Sequence, residues 1–200
     1  MSFIRRLDTD ALQEQPWANG MGSTLLIDSG PDPDQWQWRL SIARIERNGP
    51  FSTLPDTRRV FVPLDGPVRL RFRDSGERAL LRLNATTFEG ADAPHAELVD
   101  GATRAFNLML RGDTQAQLIA RPLNGSMLLP MRADTRWYVH LLSGRALLHV
   151  ADETHALDGG DHIWISPHAG TRARLEGGGE LVLVMLRTSL SPQPTEETLE

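Results

Sequence analysis

The sequence predicts an all-β protein, two jelly-roll-like antiparallel β-barrels or sandwiches packed together in one chain. Three observations carry this: short apolar or alternating runs broken by Gly, Pro, Asp and Asn; no long stretch of helical periodicity; and a strand-turn-strand pattern that occurs once in each half. With 200 residues the chain can form one large domain or two fused small β units with real cores.

Taken in order, Asp8–Gln13 reads as one helical turn. The stretch Pro16-Trp17-Ala18-Asn19-Gly20-Met21-Gly22 sets a rigid aromatic and an amide beside two glycines. It reads either as a turn whose Trp17 caps the core or as a pocket wall. Strands follow at Ser23–Asp28 and Gln35–Ile45. In the second, Trp36, Trp38, Leu40 and Ile42 share one face while Gln37, Arg39, Ser41 and Ala43 share the other. Val60–Leu64, Val68–Arg73 and Ala79–Leu83 are separated by the turn signals Asp65-Gly66 and Asp74-Ser75-Gly76, and Ala105–Leu110 ends the first half. The second half offers Arg136–Leu142 and Ala146–Val150 around Ser143-Gly144, then His162–Ser166, then Thr171–Glu176 and Leu181–Leu186 around Gly177-Gly178-Gly179. Residues 191–200 read as a disordered tail.

Charge and composition exclude several functions. The net charge is -5 and no block of basic residues occurs, which argues against nucleic acid. All 21 basic residues are Arg, so Schiff-base chemistry and a P-loop lysine are absent, and with no Cys there is no thiolate chemistry. The first residues hold no apolar core of signal length and no run approaches a membrane span, so a cytoplasmic protein without membrane contact is expected.

The repeat aligns Arg59-Val60-Phe61-Val62-Pro63-Leu64-Asp65-Gly66 with Trp137-Tyr138-Val139-His140-Leu141-Leu142-Ser143-Gly144. Each copy is followed by a second strand and an acidic-glycine element, Phe88-Glu89-Gly90 or Gly159-Gly160-Asp161. This is the rhythm of a cupin lobe, so residues 1–190 are expected to form one bicupin unit, lobe one covering about 1–113 and lobe two about 114–190. Unpaired sheet edges leave a homodimer as an expectation.

A metal-binding cupin needs a His-x-His pair, a Glu and a later His. Counting back from each turn glycine, the Glu position holds Arg59 or Trp137, and no His-x-His precedes either. No metal and no other cofactor is therefore expected. A guanidinium in that place favours an anion, since its planar fork offers paired donors to a carboxylate. Arg59 shares its strand face with Phe61. If the polar face of the 35–45 strand lines the same lobe, Arg39 and Ser41 join Arg59, with Trp17 and Asn19 at the mouth. The alternatives are an Arg59 paired with Asp56 or pointing outward, and an Arg39 solvated on the outside.

The chain resembles the HutD/Ves family of bicupins. The resemblance rests on Pro16, Trp17, Asn19, Gly20, Gly22 and Thr24, on Trp36–Ala43, on Gly49-Pro50-Phe51-Ser52, on Arg59, and on Phe106-Asn107-Leu108-Met109. Ala18 stands where the family usually has Lys, and Met21 where Gly is common. The resemblance adds Phe51 and Asn107 to the candidate ligand residues. It implies a bacterial cytoplasmic protein whose pocket takes a small anionic metabolite, a formylglutamate-like carboxylate, and which modulates histidine utilisation or a stress response. No catalytic residue is assigned, because no nucleophile or tuned acid-base pair is evident. The alternatives are a metal-independent isomerase or epimerase using Tyr138 with a His, and a protein-interaction module.

Overall fold

The computed structural model describes residues 4–166 and 170–187. His168 and the 191–200 tail fall outside the described residues. The chain forms β1 (Ile4–Arg6), β2 (Glu14–Pro16), β3 (Gly22–Gly30), β4 (Trp38–Ile45), β5 (Gly49–Pro50), β6 (Arg58–Pro63), β7 (Val68–Phe72) and β8 (Gly76–Leu80). It continues through β9 (Thr86–Glu89), β10 (His95–Leu98), β11 (Thr103–Leu110), β12 (Ala116–Leu129), β13 (Thr135–Val150), β14 (Glu153–Asp158), β15 (His162–Ile165) and β16 (Ala173–Arg187). The expected helical turn is a short 3-10 turn, Thr9–Ala11, with the Asp8 side chain accepting from Asp10 N. Among the described residues no helix is long and apolar enough to cross a membrane.

In lobe one a sheet ordered β2-β3-β4-β11-β6-β9 faces a sheet ordered β5-β10-β7-β8. In lobe two one sheet ordered β1-β15-β13-β16-β12, with β14 on β13, bends back on itself. The lobes repeat one topology. β6 lies between β11 and β9 as the first half of β13 lies between β16 and β15. β7 lies between β10 and β8 as the second half of β13 lies between β16 and β14. Strands that are separate in lobe one are thus fused in lobe two, and the result is a pair of cupin-like sandwiches with no closed barrel.

The fusion corrects two expectations. Ser143-Gly144 and Gly177-Gly178-Gly179 are not turns, because β13 and β16 stay paired through them with a register shift between Leu141 and Ser143. The glycines serve close approach at the bend. A Cβ on Gly179, where φ is +140°, would come 1.9 Å from Ser143 O, and one on Gly144, at φ +88°, would come 2.1 Å from Gly178 O. A third correction concerns the lobe division: β1 pairs with β15, so residues 4–6 belong to the second lobe's sheet although lobe one was expected to hold them.

Three apolar cores follow from strand alternation. Phe61, Leu70, Phe72 and Phe88 fill lobe one between its sheets. Trp137, Val139, Leu148, Ile163 and Leu183 fill lobe two. Trp38, Leu40, Ile42, Phe106 and Leu108 pack from lobe one against Tyr138, Trp164, Val182 and Val184 of lobe two. The even-numbered face of β4 is therefore the lobe junction, which turns Arg39, Ser41 and Ala43 toward the interior of lobe one.

Candidate functional site

Strand register assembles a polar patch on the inner face of lobe one. Ser41, Asn107 and Phe61 are in register across β4, β11 and β6, and the neighbouring row is Arg39, Met109, Arg59 and Phe88 across β4, β11, β6 and β9. Ser41 is 1%, Asn107 2% and Arg59 6% exposed, so these polar groups are sealed from bulk water. Arg59 Nη2 donates to Asn107 Oδ1 at 2.9 Å. Its guanidinium lies between two rings, 5.0 Å from the centroid of Phe51 and 5.1 Å from that of Phe88. Its Nε has no partner, and no acid of the described residues reaches it within 4.0 Å. Burial alone pushes its pKa down from 12.5 to about 10, which leaves it charged at neutral pH.

Arg39 also carries a buried Nε without a partner, and both burial and the nearby Arg111 charge hold its pKa below the usual arginine value. Arg111 donates from Nε to Thr57 Oγ1 at 3.2 Å and lies over the Trp36 ring. The alternatives considered for Arg59 do not occur: Asp56 is exposed, and it is Arg58 that faces out.

The structure brings Arg39, Ser41, Phe51, Arg59, Phe61 and Asn107 together. Phe51 packs tilted on Phe61, with centroids 5.4 Å apart. Trp17 and Asn19 lie on the approach to β3, and their bonding is that of a turn. Trp17 Nε1 donates to Thr24 Oγ1 at 2.7 Å and its ring packs on the core of lobe one. Asn19 is exposed, its Oδ1 accepting from Met21 N at 3.0 Å. Asn19 thus forms the turn, the usual use of Asn before a glycine at positive φ. Sequence reasoning missed Phe88, Met109 and Arg111. Phe88 lies on β9, where Phe88-Glu89-Gly90 reads as an acidic-glycine element and not as a strand face, and Met109 and Arg111 continue the inner-face alternation of β11 beyond Asn107.

Comparison of the lobes shows what is special about this patch. The registers that hold Arg59, Met109 and Arg39 in lobe one hold Trp137, Met185 and Gln117 in lobe two. Those of Phe61, Asn107 and Ser41 hold Val139, Leu183 and Ile119. One scaffold therefore carries an apolar interior in lobe two and a cationic, amide-bearing interior in lobe one. Neither a guanidinium nor an indole ligates a divalent cation, and among the described residues no three His, Asp or Glu side chains converge, so this donor set does not fit a metal.

A model of the family described as HutD matches residues 9–183. The chain belongs to the HutD family. This HutD-family chain is 39% identical over 112 residues to an uncharacterized 21.2 kDa protein in the hutC 3' region of Pseudomonas putida, covering 54% of the chain and 59% of that protein. It is 39% identical over 99 residues to protein Ves of Cronobacter sakazakii, covering 48% and 55%. The chain spans little more than half the length of these curated relatives. Among solved structures it resembles the conserved protein of unknown function PA5104 from Pseudomonas aeruginosa PAO1, at TM-score 0.84 and 28% identity over 94% of this chain and 100% of that one. It also resembles HutD from Pseudomonas fluorescens SBW25 in a formate condition, at TM-score 0.76 and 26% identity over 92% and 99%. A cupin 2 conserved barrel protein from Leptotrichia buccalis, at TM-score 0.54 and 9% identity over 82% and 88%, shares the fold alone.

The sole tyrosine of this HutD-family protein does have a histidine partner. Burial holds the Tyr138 hydroxyl well above its ordinary pKa, so it stays protonated, and it shares a hydrogen bond with His162 Nδ1 at 2.5 Å. His162 stacks on His140 with centroids 3.9 Å apart, and His140 Nδ1–H donates to Asp161 O at 3.1 Å. Burial takes the pKa of His140 to about 3 and that of His162 to about 4. All three groups are sealed at the lobe junction, so they form a neutral packing element on a face opposite the Arg59 patch.

Proposed function

We propose that this HutD-family cupin uses lobe one to bind a small carboxylate metabolite of the formylglutamate type, and that binding modulates histidine utilisation or a stress response in the cytoplasm. The observation that carries the reading is the Arg59 guanidinium, charged, sealed and without an acid partner. A buried cation is costly unless it is matched, and here the groups in contact with it are an amide and two aromatic rings. A carboxylate would take two donors from the guanidinium fork, with Ser41 and Asn107 as additional hydrogen-bonding groups. Arg39, on the far side of Met109, lies about 10 Å from Arg59 by strand spacing, a separation suited to a second acidic group. The curated relative from the hutC region supports the link to histidine utilisation.

Phe51 covers the guanidinium from a half-buried position after β5, so its ring is the group that must swing aside for entry. Thermal-shift titration with formate, glutamate and formylglutamate tests the proposal. Saturable stabilisation by at least one carboxylate, lost in Arg59→Gln, is expected; stabilisation that survives Arg59→Gln, or none with any of the three, overturns it.

A further inference from the structure

The geometry points to a second anion site in the cleft at the lobe junction, with Arg136 as the receptor for a carboxylate or phosphoryl group. The cleft encloses about 1050 Å³ and is walled by Gln37 and Trp38 of lobe one, by Arg111 and Gln115 of the connection, and by Arg136 and Arg187 of lobe two. Arg59 is not among its lining residues, and β6 and β13 present the two arginines from different sheets.

Arg136 packs into a corner made by two tryptophans. Its guanidinium carbon lies 4.4 Å from the centroid of Trp38 and 4.5 Å from that of Trp164, one ring from each lobe. The two rings are themselves only 5.3 Å apart and edge to face, so they form a corner against the guanidinium and leave its other side for a ligand. The Nε is buried without a partner, and no acid of the described residues lies within 4.0 Å of the guanidinium. Asp28 is the acid whose charge reaches Arg136, but its oxygens are already engaged by Arg5, by Trp164 Nε1 at 2.7 Å and by Ser29 N at 2.9 Å. Four arginines, Arg5, Arg111, Arg136 and Arg187, line the cleft against three acids, Asp28, Asp113 and Asp134, so the walls carry one excess positive charge. On the same face of β13 the next two residues, Tyr138 and His140, are neutral and sealed. A partly buried guanidinium with no acid partner, opening on a cavity of this size, fits an organic acid or a phosphorylated metabolite.

The test is a titration with citrate and, separately, inorganic phosphate, read by the indole N–H resonances of Trp38 and Trp164 in the 15N-labelled full chain. A saturable shift of both resonances with citrate assigns a carboxylate, and one with phosphate assigns a phosphoryl anion. The shift is expected to persist in Arg59→Gln and to weaken about tenfold or more in Arg136→Gln. Arg136→Lys keeps the charge against the two rings but loses the fork, and is expected to weaken binding as well, which keeps the test decisive if Arg136→Gln does not fold. No saturable shift with either anion, unchanged affinity in Arg136→Lys, or a shift lost in Arg59→Gln overturns the site.

Discussion

Arg59 donates to Asn107 across neighbouring strands at 2.9 Å, and this is the one hydrogen bond of that guanidinium among the described residues. The pair replaces Trp137 and Leu183, which occupy the same registers in the apolar lobe.

Replacing Arg59 should separate binding from stability. Its pKa of about 10 in place of 12.5 means roughly 3 kcal/mol is held against the charged form. The two ring contacts return about 1–2 kcal/mol each. Arg59→Met removes these opposing effects but leaves Asn107 Oδ1 without its partner, so it is expected to abolish carboxylate binding at a cost of about 1–2 kcal/mol in urea denaturation. A loss of several kcal/mol would give the guanidinium a structural role instead.

Asn107→Leu copies the residue of lobe two and strands the Arg59 donor. The expected cost is about 1–3 kcal/mol, the range for a buried polar group left unpaired. The double variant Arg59→Met/Asn107→Leu should recover most of it. Purely additive losses would show that the two side chains do not act as a unit.

Glycines at the bend of lobe two should be far less tolerant than an open one at positive φ. Gly179→Ala would drive a Cβ to 1.9 Å from Ser143 O, whereas Gly125, at φ +91°, has no heavy atom within 4 Å of the added Cβ. Gly125→Ala is expected to cost about 1 kcal/mol of backbone strain, and Gly179→Ala to prevent a cooperative thermal transition. Equal melting temperatures for the two variants would count against the close-approach argument.

The stacked His140 and His162 predict an acid-sensitive fold. Their pKa values are depressed to about 3 and about 4, so between pH 6.5 and 5 the unfolded chain takes up protons that the folded chain refuses. The stability they provide is complete above pH 6.5 and falls as the pH drops, by up to about 2.7 kcal/mol per pH unit for two histidines. His140→Phe keeps a ring against His162 and should roughly halve that slope in denaturation measured across this window. An unchanged slope would assign the acid sensitivity to other groups.

The all-β class and the inward face of β4 were legible because alternation in Trp36–Ala43 is strict and its apolar face is rich in large side chains. β12 was not. Its segment Ala116–Leu129 contains Pro122 and Gly125, and it pairs only with β16 at the sheet margin, where proline is tolerated and one side needs no apolar pattern. The bends at Gly144 and Gly179 were read as turns since a glycine that relieves a close crossing leaves the same local signature as one that reverses the chain. The inner patch was legible from face sharing at Arg59 and Phe61, but β9, which supplies Phe88, has the single large apolar residue Phe88 among Thr86, Thr87 and Glu89 and so carries no alternation to read. The unmatched state of Arg59 depends on where Asp56 points, and that is set by tertiary packing alone.

The pairing of β1 with β15 laces the two halves of the molecule together, because the chain enters through one half before building the other. Severing it at residue 113 would leave a fragment with a stray strand and its counterpart with a bare edge along Ile163 and Ile165. The halves are therefore expected to survive as an intertwined whole and not as portable modules, which makes the intact chain the smallest unit in which either arginine can be studied.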